Sequence, residues 1–145
     1  MDTSSAALPS GSRVRVIGRL TDPVAALLKL RSAARTVLLH DSVIRHIESR
    51  RGIDEAQFVL EHLTLAVEHP EFAGVHPDNH RRHVLIGRAT GSRLLCVAIK
   101  CVSADPRARH SDEIWISTSF PMSERSLTRK RWSSILQRVG TGTEG

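Results

Sequence analysis

From Asp22 to His69 apolar residues recur every three or four positions, and from His83 to Phe120 they alternate. The first regime predicts helices and the second strands. Ahead of both, RVRVIGRL at 13–20 alternates and predicts a strand with Val14, Val16 and Gly18 on one face. Asp22-Pro23 opens a helix, PVAALLKLRSAAR, with Asp22 as N-cap and Pro23 at its first position. A β-like run at 36–39 follows. Asp41 or Ser42 is placed to cap a second helix that continues to Arg51, where Gly52 stops it. Asp54 with Gln57 resembles a capping box for a third helix, which carries Ala56, Val59, Leu60, Leu63, Ala66 and Val67 on one side. His69-Pro70 ends it, because the residue before a proline resists the α region.

The loop EFAGVHPDN separates the two regimes. His83–Ala89 then reads as a strand, Thr90-Gly91-Ser92 as a tight turn, and Leu94–Val102 as the returning strand. A polar loop leads to a third strand, Glu113–Phe120, which Pro121 ends. Ser123 can cap a basic last helix holding Leu127, Trp132, Ile135 and Leu136. The expected class is α+β: N-terminal helices packed on a small antiparallel meander, with a basic C-terminal helix. Residues 1–12 are expected to be a disordered leader, 13–138 one domain and 139–145 a flexible tail.

Composition narrows this frame. The 145 residues suit one domain, and aromatics make up 3% with no Tyr, so aliphatic side chains must fill the core. Lys plus Arg is 21 against 15 Asp plus Glu, a formal charge of +6. An arginine-weighted excess suits a polyanionic partner such as nucleic acid, the plain alternative being a solvated cationic surface. The start lacks a cationic segment followed by an apolar one, and no apolar run approaches bilayer length. Neither a signal peptide nor a membrane partner is expected, and the location is read as cytoplasmic. Cys96 and Cys101 fall on opposite faces of one strand, so they are read as thiols that do not pair.

Candidate chemistry sits on three elements. In the middle strand Leu95, Val97, Ile99 and Cys101 point one way, and Leu94, Cys96, Ala98 and Lys100 the other. The second side is small and ends in a cation, which leaves room for something to lie on it, with Arg88 on the neighbouring strand. The third strand carries Ser117, Thr118 and Ser119, with Thr118 expected beside Ile116 and Phe120 and the serines beside Trp115. On the second helix the apolar stripe is Val43, Ile44 and Ile47, and His46 lies about 100° from its centre, at a half-buried border. An imidazole there can move protons, although border histidines are commonly plain fillers. His76, His80 and His83 invite a metal, but Pro77 breaks any helical spacing, and no metal site or cofactor is expected. Arg109 and the pair Arg129-Lys130 lie in basic runs read as phosphate-facing.

Taken together, HIESRRGI at 46–53, a helix ending in His-Pro, a hairpin carrying VAIK and a strand reading ISTSFP form a recognisable layout. It resembles the barnase–EndoU–colicin–RelE-like nuclease superfamily, in particular small phage-associated members and related domains of unknown function. The likeness spans about residues 37–125. It implies a metal-independent, toxin-like endoribonuclease that cuts RNA, transfer RNA included, by 2′-OH transesterification. It also implies a cognate antitoxin or immunity protein, and delivery into a target cell's cytoplasm if the chain is a toxin domain. His46, Lys100 and Thr118 would be catalytic, with Arg88 neutralising phosphorane charge. Arg50, Arg51, Ser117, Ser119, Arg109, Arg129 and Lys130 would bind nucleic acid. The chain departs from that pattern with Phe120 where Tyr is frequent and Arg51 where related sequences carry another histidine. The alternative is a non-catalytic module on the same fold that binds nucleic acid or a protein.

Overall fold

A computed structural model of the chain describes residues 13–30, 34–75, 82–103, 112–127 and 136–139. In order, the elements are β1 (Val14–Arg19), α1 (Asp22–Leu27), β2 (Thr36–His40), α2 (Asp41–Arg51), α3 (Ile53–Glu68), β3 (Phe72–Val75), β4 (His83–Thr90), β5 (Arg93–Ser103), β6 (Asp112–Ser123), α4 (Glu124–Leu127) and β7 (Leu136–Arg138). The strands form one seven-stranded sheet in the order β1-β2-β6-β5-β4-β3-β7. It is mixed, because β2 and β6 run parallel while the other neighbours are antiparallel.

The α+β class and the β4-β5-β6 meander match the sequence pattern, but the sheet is larger than a small meander. β1 and β2 extend one edge, and β3 and β7 the other. β3 comes from residues expected to be loop. At four residues it is too short to display a period, and its pairing with β4 and β7 defines it. Leu136, expected in a helix, lies in β7. Of the expected basic helix only α4 is described, since 128–135 lie outside the described residues, as do the leader 1–12 and most of the tail. Val139 in that tail donates its N–H to Glu71 O at 2.9 Å and packs against the core.

Each face of the meander carries its own core. Leu85, Leu95, Val97 and Ile99 join Ala56, Val59, Leu63 and Val67 of α3 and Ile44 and Ile47 of α2. On the opposite face Val84, Ile86, Leu94, Cys96 and Ala98 pack with Met122. Burial pushes the Cys96 thiol up to about 12 and so makes it inert, whereas Cys101 is exposed, and no disulfide joins them. Helix α3 lies flush on β4 because Gly87 has no side chain. A Cβ there would sit 2.6 Å from the Cα of Ala66. The same helix reaches β1, where Ile17 is the extra residue of a bulge against β2. Thr64 Oγ1 donates to the Ile17 carbonyl at 2.7 Å, and Glu68 Oε2 accepts from Arg19 N–H at 3.2 Å.

That bulge reverses the faces expected for β1. Val16 is 68% and Val14 40% exposed, while Ile17 turns to the core. Helix α1 stops at Leu27, well short of the expected end. Leu30 N–H bonds to Ala25 O and Lys29 N–H to Ala26 O, with Lys29 at φ 59°, which is a Schellman closure without its customary glycine. The N-caps also lie one residue earlier than expected, at Thr21 and His40. Helix α3 starts directly after Gly52 with no side-chain cap. β6 continues through Pro121, opposite Leu95, to Ser123. Its pairing with β2 ends at Trp115, so the proline occupies a one-sided stretch.

Gly87→Ala is expected to lower stability by about 1–3 kcal/mol, as overpacking does, and to reduce the urea midpoint. Adding Ala66→Gly should not restore it, because the nearest atom is backbone.

Candidate functional site

Strand β6 pairs with β2 only through Ile114 and Trp115. Past that point β2 passes directly into α2, and β6 bulges. Ala98 faces Thr118 and Ile99 faces Ile116, so Ser117 is the extra residue. Where strand pairing ends and the bulge begins, a cleft of about 370 Å³ opens. Its polar lining is His40, Ser42, Arg82, Lys100 and Ser117, and Val43, Ile116 and Trp115 supply the apolar wall.

The register aligns the charged part. His83 pairs with Ile99, which puts Arg82 beside Lys100, and Lys100 pairs with Trp115. Two cations and an indole therefore stand in a row, Arg82 at the approach to β4, Lys100 on β5 and Trp115 on β6. Trp115 Nε1 donates to Glu113 Oε1 at 3.0 Å, which fixes the ring. His40 is the N-cap of α2. Its Nδ1 accepts from Ser42 N–H at 3.0 Å and lies 2.8 Å from Ser42 Oγ. An accepting Nδ1 leaves the proton of the neutral ring on Nε2. Ser117 Oγ donates to Ala98 O at 3.2 Å, and buried Ser119 donates to Cys96 O at 2.8 Å. Ser119 is thus occupied within the sheet.

Of the residues expected to act, Lys100 and Ser117 line the cleft; His46, Thr118 and Arg88 are not among its lining. His46 is exposed on α2 instead of half-buried, one turn beyond Ser42, and Arg50 is exposed on the same helix. Arg51 bonds Glu55 at 3.2 Å, and its guanidinium lies 5.7 Å from the centre of the Phe120 ring. The bulge re-aims Thr118, which shares the face of Ala98 and of Trp115 and not that of Ile116. Arg109, Arg129 and Lys130 lie outside the described residues, as do His76 and His80.

Arg88 belongs to a different part of the molecule. It pairs with Leu94, six residues and so roughly 20 Å along β5 from Lys100. Its Nε and Nη2 grip both oxygens of Glu71 at 3.1 and 2.9 Å, and Nη1 donates to Gly91 O at 3.0 Å and pairs with Glu124. These hydrogen bonds raise the Arg88 pKa above its usual range and hold Glu71 below the ordinary carboxylate value. The guanidinium ties β4 to the start of β3 and to α4.

Sequence reasoning missed His40, Ser42, Arg82 and Trp115. Placing Arg82 needs the hairpin register, and a simple two-residue turn, with Thr90 opposite Arg93, would set His83 against Lys100. The irregularity between Arg88 and Thr90 moves the pairing by one. His40 carries a local signal, a histidine directly before Asp41-Ser42 at a strand-to-helix junction. Among the described residues no three His, Cys, Asp or Glu side chains form a group able to hold a metal ion, and no helix is long and apolar enough to cross a membrane. Comparison with known proteins finds no matching family model, no similar curated protein and no similar solved structure.

Two groups predict how acid weakens the fold. His83 Nδ1 is buried without a hydrogen-bond partner among the described residues, and burial lowers the pKa of the ring. The unfolded chain therefore binds a proton first, and stability falls as pH drops below ~6.5. The depressed Glu71 carboxyl adds a second loss as pH falls below ~4.3. Urea unfolding across a pH series should show both steps, with His83→Gln removing the upper and Glu71→Gln reducing the lower.

Proposed function

We propose that the chain is a metal-independent ribonuclease whose phosphate-binding cations share the cleft at the β6 bulge with one imidazole, His40. The observation that carries this reading is the sharing of one cleft by an imidazole, His40, and two cations, Lys100 and Arg82. Paired cations, one an arginine whose planar fork matches phosphate oxygens, suit a phosphate backbone, and the formal charge of +6 favours a polyanion. In transesterification the ribose 2′-oxygen attacks the adjacent phosphorus, a base removes its proton, and an acid protonates the departing 5′-oxygen. His40 lines the cleft and is the candidate acid, a role that needs the imidazolium and therefore requires Nδ1 to release Ser42 N–H when the ring takes its second proton. Lys100 and Arg82 oppose charge on the phosphorane, a contribution of about 3–4 kcal/mol for a preorganised donor. His46, exposed one turn along α2 from the cleft-lining Ser42, is the candidate base, a role that requires it to reach the 2′-OH beside the same phosphorus that His40 serves. Thr118 flanks the bulge and is a candidate contact for a non-bridging oxygen. The resemblance to the barnase–EndoU–colicin–RelE-like nucleases points to the same reaction.

One observation favours the second reading, a non-catalytic nucleic-acid-binding module. His40 is the only imidazole lining the cleft among the described residues. The two separate cleanly. Incubation of the full chain with RNA in EDTA should leave 2′,3′-cyclic phosphate ends and spare DNA of the same sequence, which lacks the attacking hydroxyl. His40→Ala should slow cleavage by at least about 100-fold, the scale of a lost general acid. Lys100→Ala should weaken RNA binding and flatten its salt dependence. Salt-sensitive binding without cyclic ends would select the binding module, and an His40→Ala protein that cuts at the parental rate would remove His40 from the chemistry.

A further inference from the structure

We propose that Trp115 is the platform for one unpaired base, so that the cleft accepts single-stranded nucleic acid and excludes duplex. The inference rests on the phosphate-binding role of the cleft and does not require cleavage.

Three observations carry it. The indole N–H is committed to Glu113 at 3.0 Å, so the ring is held in one orientation and the surface it shows the cleft is without a donor. Among the described residues an arginine lies over each phenylalanine ring, Arg51 over Phe120, Arg93 over Phe58 and Arg138 over Phe72, but none lies over Trp115. The ring also stands one strand from Lys100 and two from Arg82, in a single row. Adjacent strands are about 5 Å apart, so a phosphate seated on the cations directs its own nucleoside toward the indole. Stacking on an aromatic face needs a base that has left its helix, because a paired base is already covered above and below. A volume of about 370 Å³ admits a nucleotide and not a double helix. The deep, narrow major groove of an A-form duplex likewise keeps Trp115 from its paired bases. Every base has such a face, so recognition at Trp115 should be tolerant of sequence.

The test uses an uncleavable 2′-O-methyl oligonucleotide, single-stranded or annealed to its complement, at one fixed salt concentration. The full chain carries Trp132→Phe, which makes Trp115 its only tryptophan. The single strand should quench Trp115 fluorescence and bind at least about tenfold tighter than the duplex. Trp115→Leu should lose roughly that factor for the single strand and leave duplex binding unchanged, while Trp115→Phe keeps most of the preference. Urea midpoints of the variants confirm that they remain folded. Equal affinity for both forms, absence of quenching, or an unchanged preference in Trp115→Leu would overturn the proposal. Quenching and strand preference without cleavage of ordinary RNA would uphold stacking and remove the nuclease reading. Cleavage of RNA with no effect of Trp115→Leu on strand preference would do the reverse.

Discussion

Helix α3 lies flat on the sheet because two backbones meet with nothing between them. At that crossing Gly87 of β4 faces Ala66, and even a methyl group at residue 87 would stand 2.6 Å from a helix Cα. With this contact in place, the helix extends from β4 to β1, where Thr64 and Glu68 take up the polar groups that a bulge releases. Gly52 alone joins α3 to α2, and its φ of 99° and ψ of 164° belong to a region open essentially only to glycine. The direction of α2 and the position of its first turn therefore follow from where α3 rests. His40 caps that turn, so a contact made deep in the sheet sets the imidazole at its rim.

The candidate site arises where regular pairing gives out. β2 parts from β6 after two parallel pairs while still paired with β1, and the residue β6 inserts at Ser117 bends the strand at the same level. A continuous ladder here would have closed the gap between β2 and β6. The opening is lined by side chains from the β2–α2 junction, the approach to β4, β5 and β6, elements far apart in sequence. Arg88 serves the opposite end of the hairpin, where a bidentate grip on Glu71 and a pair with Glu124 join three parts of the chain. Charge in this protein thus has two separate uses, clamping one end of the sheet and facing solvent at the other.

What the sequence reveals depends on how local the determining interaction is. The helix faces of α2 and α3 and the alternation along β5 follow from side-chain period alone, but the small-residue side of β5, read as leaving room for a ligand, is a second core packed with Met122. The ends of α1 and the exposed valines of β1 follow from single inserted or left-handed residues, Ile17 and Lys29, which no periodicity announces. The site shows the same division. Lys100 could be read from its strand, since its orientation needs only alternation. Arg82 and Thr118 could not, because one irregularity between Arg88 and Thr90 and another at Ser117 decide which neighbours they meet. His46 reads well as a border position on a helical wheel, but it lies on the exposed side of α2.

β1 forms one outer margin of the sheet, with Val14 and Val16 bared on one side and Arg13, Arg15 and Arg19 interleaved along it. A bare apolar margin with open peptide groups is a template for stacking copies end on end, and interspersed cations discourage it by mutual repulsion. Dissolved salt shortens the reach of that repulsion from about 10 Å at 0.1 M to about 3 Å at 1 M. The arginines of this margin thereby serve as its colloidal guard, and brine relaxes it.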